Sequence, residues 1–179
     1  MPFIIIIAVL VIIVIIMYNG LVAKRNKVKN QWSQIEVQLK RRFDLIPNLV
    51  NTVKGYAAHE SGTLEAVTAA RTKYMTATSP EAKIQANNEL SGVLSRLFAV
   101  AEAYPDLKAN TNFIQLQEEL GKTEDKIAFA RQFYNDVVMT YNNSVAMFPT
   151  NIIAGIFGFR AEAFFDAEDE VYKAPEVKF

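Results

Sequence analysis

The sequence predicts an all-α protein in which an N-terminal transmembrane helix leads into an antiparallel bundle of long helices. Three observations carry this. Phe3 to Ala23 is an apolar run without a charged side chain. Beyond it, apolar residues recur at steps of three and four over long stretches, which is the seam of an amphipathic helix. No stretch after Ala23 alternates apolar and polar residues as a half-buried strand would.

The apolar run is long enough to span a membrane. A hydrocarbon core about 30 Å thick needs about 20 helical residues at about 1.5 Å rise each. Its many Ile and Val residues favour strand in water, but in lipid every backbone N–H and C=O must be satisfied internally, and a helix does this. A cleaved signal peptide fits poorly. Only Met1 and Pro2 precede the run, and Gly20 and Ala23 do not form a small-x-small cleavage site. The chain has no Cys, so no lipid can be attached as on a lipoprotein.

Charge sets the expected orientation. Lys24, Arg25, Lys27 and Lys29 form a basic collar after the run, followed by Lys40, Arg41 and Arg42 with Glu36 as the one acid among them. The positive-inside rule places the N-terminus outside and the remainder in the cytoplasm. The collar either sets topology alone or also binds anionic headgroups. The expected divisions are an anchor over 1–23, a helical bundle over 24–159 and an acidic, solvated tail over 160–179.

Formal net charge is zero, so no global field draws nucleic acid. The absence of Cys removes disulfides, thiolate nucleophiles and cysteine metal sites.

The first seam runs through Val28, Trp32, Ile35, Leu39, Phe43, Ile46, Val50, Val53 and Ala57, with Pro47 expected to kink it. A second helical stretch follows from Thr63 to about Ala77. Ser79-Pro80-Glu81 reads as an N-cap, a first-turn proline and an acid that complements the helix dipole. The helix it opens carries Leu90, Leu94, Leu97, Ala101 and Tyr104, and Pro105 closes it before a polar connection over 106–110. Thr111 or Asn112 is expected to cap a long helix that stops at Phe148-Pro149. Asn151 to Phe159 is apolar and too short to span a bilayer. Its Ile152, Ile153, Ile156, Phe157 and Phe159 either cap the bundle or contact lipid or a partner.

Several long blocks resemble the LemA family of bacterial membrane proteins. They are YNGLVAKRN at Tyr18 to Asn26, QWSQIEVQLKRRFDLIPNLVNTVKGYAAHE at Gln31 to Glu60 and TLEAVTAAR at Thr63 to Arg71. LQEELGKTEDKIAFARQFYNDVV at Leu116 to Val138 and YNNSVAMFPTNIIAGIFGF at Tyr141 to Phe159 complete the set. The resemblance covers nearly the whole chain. It implies a single span followed by a LemA-like helical bundle in the bacterial cytoplasmic (inner) membrane, with no established enzymatic activity. Members are associated with membranes, some of them with building or shaping internal membrane compartments.

The residues offer little chemistry. His59-Glu60 lacks the second His, four residues on, that a zinc motif needs. A single His also cannot supply a di-iron bundle site. Gly121 to Asp125 lacks the upstream glycine and strand of a phosphate loop. No catalytic, cofactor or metal residues are expected, and no cofactor. Arg41 and Asp44 are three apart and can pair on one helix face. They are either a solvated pair or, with Arg42, part of an interhelical network that sets register. Tyr134-Asn135 and Tyr141-Asn142 repeat at seven and read as internal polar packing rather than a ligand site.

Three functions stay open. The first is a non-enzymatic bundle that self-associates or scaffolds at the membrane and shapes it. The second is an adaptor for another membrane protein such as a protease or transporter. The third is an enzyme or receptor with an interhelical site. The expected partners are the lipid bilayer, further copies of the chain and, in the second reading, another membrane protein, but not nucleic acid.

Overall fold

Helix α1 runs unbroken from Pro2 to Lys54. The structure is a computed structural model and describes residues 2–165, and all the described secondary structure is helical. Asn19-Gly20 does not interrupt α1, and Pro47 lies inside it without ending it. The other helices are α2 (Ser61–Thr76), α3 (Pro80–Ala101), α4 (Pro105–Lys108), α5 (Thr111–Ala146) and α6 (Thr150–Phe157). The chain divides into two compact units, one made of Met1–Ser33 with Arg131–Phe179, the other of Gln34–Ala130.

The first unit pairs the beginning of α1 with the end of α5. Lys24 Nζ donates to Ser144 Oγ at 2.5 Å, and Trp32 meets Tyr134 edge-on at 5.9 Å between ring centroids. The rising number on α1 meets a falling number on α5, so the two run antiparallel. Leu21 and Val28 of α1, Val138 and Tyr141 of α5, Ile153 and Ala154 of α6, and Phe165 form its core. Phe3 to Ile16 stands outside that core, each side chain exposed.

The second unit is an up-down-up-down arrangement of α1, α2, α3 and α5 segments. Buried Ile35, Leu39, Phe43, Ile46 and Val53 supply the α1 stripe. The seam passes through Leu49, fully buried, rather than the expected Val50, which is only half-buried. A step of three after Ile46 followed by one of four keeps the stripe facing the same way as four followed by three, so spacing alone left both open. Phe43 stacks on Tyr74 of α2 at 3.9 Å. Burial pushes the Tyr74 hydroxyl above its ordinary pKa, aided by Glu36 and Asp44.

Ser79 caps α3 as expected, its side chain accepting from the Ala82 N–H at 3.2 Å with Pro80 in the first turn. Ser79→Ala is expected to cost about 1 kcal/mol, measured by denaturant unfolding in detergent followed by circular dichroism. Some boundaries differ from expectation: α2 begins at Ser61, and α3 ends at Ala101, short of Tyr104. The connection over 106–110 contains the short helix α4, because Leu107 turns inward and is fully buried. The cap of α5 is Asn110, whose Oδ1 accepts from the Phe113 N–H at 3.0 Å. Asn is as strong a cap as Thr, and the turn of α4 delivers it one residue early.

The tail was expected to be solvated from residue 160. Its acidic part, 166–179, lies outside the described residues. Residues 161–165 run along α5, with Ala161, Ala163 and Phe164 exposed and Phe165 buried.

Candidate functional site

The first unit brings together most of the residues singled out from sequence. Tyr18 lies near the end of the apolar run, and its ring meets Phe157 at 4.8 Å and Phe159 at 5.7 Å. Helix α6 therefore packs on the span side of the basic collar. Of its apolar residues, Ile153 and Phe159 are buried, while Ile152, Ile156 and Phe157 remain exposed. Gly158 closes α6 at φ 72°, a left-handed conformation that a Cβ would strain.

The collar splits into two roles. Lys24 donates to Ser144, and Arg25 pairs with Glu162 at 3.9 Å. Lys27 and Lys29 are exposed.

The two Tyr-Asn pairs form a clamp. Asn142 and Asn135 each use both ends of their amide on a backbone unit of the returning chain. The Glu162 N–H donates to Asn142 Oδ1 and Asn142 Nδ2 donates to the Glu162 carbonyl, both at 2.9 Å. The Phe165 N–H donates to Asn135 Oδ1 at 2.8 Å, and Asn135 Nδ2 donates to the Phe165 carbonyl at 3.1 Å. The spacing works because seven helical residues rise about 10.5 Å while three extended residues cover about 10 Å. Tyr134 adds a bond from its hydroxyl to the Ala163 carbonyl at 3.2 Å. Phe165 is then held beneath the Arg131 guanidinium, 4.3 Å from its ring centroid, and beside Trp32 at 6.4 Å.

Tyr141 behaves differently from Tyr134. It is fully buried and its hydroxyl finds no hydrogen-bond partner among the described residues. Burial raises its pKa, with Arg25 opposing and Glu162 adding. Because a phenol that makes no bond gains nothing from its oxygen, Tyr141→Phe is expected to unfold within about 1 kcal/mol of the parent or be more stable. Tyr134→Phe loses a bond and is expected to be the less stable of the two, by chemical denaturation of both.

In the second unit, Asp44 pairs with Lys40 at 2.5 Å rather than with Arg41. Arg41 instead reaches Glu119 on α5 at 3.0 Å. The expected Arg41–Asp44 pair fails because a partner on another helix competes for the guanidinium. Glu119 is held below the ordinary carboxylate pKa by Lys122 first and Arg41 second. Its contribution is therefore present above about pH 4.5 and fades as acid carries the pH through the lowered value. Arg42 is buried at 4% exposure. Its Nη1 donates to Asn87 Oδ1 at 2.6 Å and Ser91 Oγ at 3.1 Å on α3, and it pairs with Glu124 on α5. Arg42 was among the residues singled out from sequence, whereas its partners Asn87, Ser91 and Glu124 were not. Asn87 stood on the Ala86-Leu90-Leu94 face of α3, and that was the available signal.

His59 is exposed, and among the described residues no group of three His, Cys, Asp or Glu side chains is placed to hold a metal. A recess of about 440 Å³ beside Arg42 is lined by Ser91, Phe98, Gln117 and Glu124. A larger groove of about 740 Å³ runs along α2 over Leu64, Thr68 and Thr72. Thr68 and Thr72 turn their hydroxyls onto the carbonyls of Leu64 and Thr68, four residues back, so the groove presents methyl groups.

The chain thus belongs to the class of helical-bundle proteins in which, among the described residues, one helix is long and apolar enough to cross a membrane. The LemA family model matches residues 31–179, and the chain belongs to that family. Protein LemA of Metamycoplasma hominis is 28% identical over 84% of this chain and 69% of its own length. Magnetosome protein MamQ 2 of Paramagnetospirillum magneticum is 26% identical over 83% of this chain and 64% of its own length. Magnetosome protein MamQ of Magnetospirillum gryphiswaldense is 24% identical over the same shares. The chain therefore spans just under two thirds of the MamQ proteins it matches.

Proposed function

We propose that this protein is a non-enzymatic scaffold of the bacterial cytoplasmic membrane, held by one span with its bundle in the cytoplasm, and that copies self-associate to organise or shape the bilayer. The observation that carries the reading is the passage of α1, without a break at Asn19-Gly20, from an exposed apolar stretch into the packed core at Leu21 and Val28. A helix that does not bend at the membrane surface transmits the arrangement of the bundles to the anchors. The basic collar supports the orientation through the positive-inside rule. The similarity to proteins named as magnetosome proteins supports work at a membrane.

The test is reconstitution of the full-length chain in liposomes at increasing protein density. Single-molecule photobleaching counts copies, and cryo-electron microscopy reports vesicle shape. The expected result is multi-step bleaching and vesicles that depart from spheres as density rises. Single-step bleaching at every density, with vesicles as round as protein-free ones, overturns the proposal.

A further inference from the structure

We propose that α6 is a second membrane-contacting element, embedded in the leaflet from which α1 emerges, so that the bundle end is seated in lipid. The inference rests on the membrane-anchor reading and adds a surface to it.

The depth of α6 follows from its partner on α1. The apolar run ends at Lys24, the first charge, which marks the headgroup level. Tyr18 lies six positions before Lys24, about 9 Å toward the hydrocarbon along a helix. Phe157 and Phe159 pack on Tyr18. If Phe3 to Ala23 occupies the bilayer, these two rings lie on the lipid side of the collar.

The chemistry of α6 fits that depth. Thr150–Phe157 has no charged side chain, and it is apolar on both faces. One face, Ile153 and Ala154, is buried in the unit, and the other presents Ile156 at 69% exposure beside Ile152 and Phe157. Met147 and Phe148, just before α6, are exposed as well, Phe148 at 79%. In water this cluster is an unpaid cost, since a large exposed apolar patch marks an interaction surface. At the interface a helix buries such a face about 5–10 Å into the headgroup and acyl boundary. The flanking charges agree, since exposed Arg160 follows α6 and exposed Lys27 and Lys29 follow the run on α1. Basic groups placed just outside an apolar surface favour anionic lipid over an apolar protein groove. Continuity with the span and this charge pattern together assign the bilayer as the occupant.

The natural absence of Cys allows single labels to be placed on the full-length chain. Nitroxides at Ile7→Cys, Ile156→Cys and Lys29→Cys are examined in phosphatidylcholine–phosphatidylglycerol vesicles by power-saturation electron paramagnetic resonance, with oxygen as the lipid-soluble relaxant and a nickel chelate as the aqueous one. All three positions are exposed, so labelling removes no packing. The expected result is preference for oxygen at Ile7 and Ile156 and for nickel at Lys29. Oxygen preference at Ile7 with nickel preference at Ile156 overturns the inference and leaves the anchor standing. Shielding of Ile156 from both relaxants shows a protein contact, such as a second copy, and also overturns it. Nickel preference at Ile7 overturns the anchor reading itself.

Discussion

Arg42→Ala is expected to destabilise the Gln34–Ala130 unit by about 3 kcal/mol or more, at or near the range of about 3–5 kcal/mol for breaking a buried ion pair. The guanidinium is 4% exposed and serves α3 and α5 at once, through Asn87, Ser91 and Glu124. Its removal leaves the Asn87 amide, fully buried, without the donor that satisfies its oxygen. It also leaves a cavity the length of the side chain. The Glu124 side chain is 40% exposed, so it recovers water when the arginine is lost. That recovery holds the effect toward the low end of the range. Two further variants separate the causes. Arg42→Met keeps volume and is expected to lose less than Arg42→Ala, because apolar replacement of a buried charge avoids much of the penalty. A double-mutant cycle with Glu124→Gln isolates the pair. Denaturant unfolding in detergent gives all the values. An Arg42→Ala variant within about 0.5 kcal/mol of the parent, as for an ordinary surface change, contradicts the account. A register-setting role for this cluster follows as a proposal: a shift of α1 along α3 and α5 breaks every one of these bonds together.

The Asn135→Ala, Asn142→Ala double variant is expected to release residues 161–165 from α5. Four hydrogen bonds between amide and backbone are lost, each worth about 0.5–1.5 kcal/mol net. The summed loss of about 2–6 kcal/mol is set against the burial of Phe165, its Arg131 contact and the Tyr134 bond, which remain. The readout is built in. Trp32 is the only tryptophan, and it borders Phe165 and Tyr134. Its emission is expected to shift to longer wavelength and become more easily quenched by acrylamide, while helix content measured by circular dichroism stays near that of the parent. Either single variant is expected to fall between. Unchanged Trp32 emission in the double variant shows that the clamp does not hold the segment. Because Asn142 grips the Glu162 backbone and Tyr134 the Ala163 carbonyl, the side chains of Glu162 and Ala163 are expected to matter less than those of Asn135 and Asn142.

Helices were legible from sequence because period and punctuation agreed. The Leu90-Leu94-Leu97-Ala101 stripe and the Ser79-Pro80 cap both mark α3, and the structure places both there. Leu107 was harder, because one inward residue in a five-residue polar connection has no period to reveal it. The candidate sites were legible as residues but not as partnerships. Arg41 and Arg42 are adjacent in sequence, yet one turns to Glu119 and the other to Asn87, Ser91 and Glu124. Which helix each faces depends on tertiary packing that a local i, i+3 rule cannot contain. The Tyr-Asn repeat read as internal polar packing, and its geometry did not: the amides hold an extended segment, which has no helical period. The apolar α6 was open between bundle cap and lipid contact; Ile153 turns inward, and the exposed face at Ile156 is the one proposed to meet lipid.

On the proposed reading, the apolar segment is the lipid-embedded end of a rigid element and not a flexible leash. The direct test is a pulsed electron–electron distance between nitroxides at Ile13→Cys in the span and Asn143→Cys on α5, in bilayers. A reference pair at Asn30→Cys and Asn143→Cys reports the packed part of the same unit, and all three positions are exposed. A single distance for the first pair, with a distribution as narrow as that of the reference pair, is the result expected from an unbroken α1. A broad distribution for the first pair beside a narrow reference contradicts it, and places a hinge between Ile13 and the packed core.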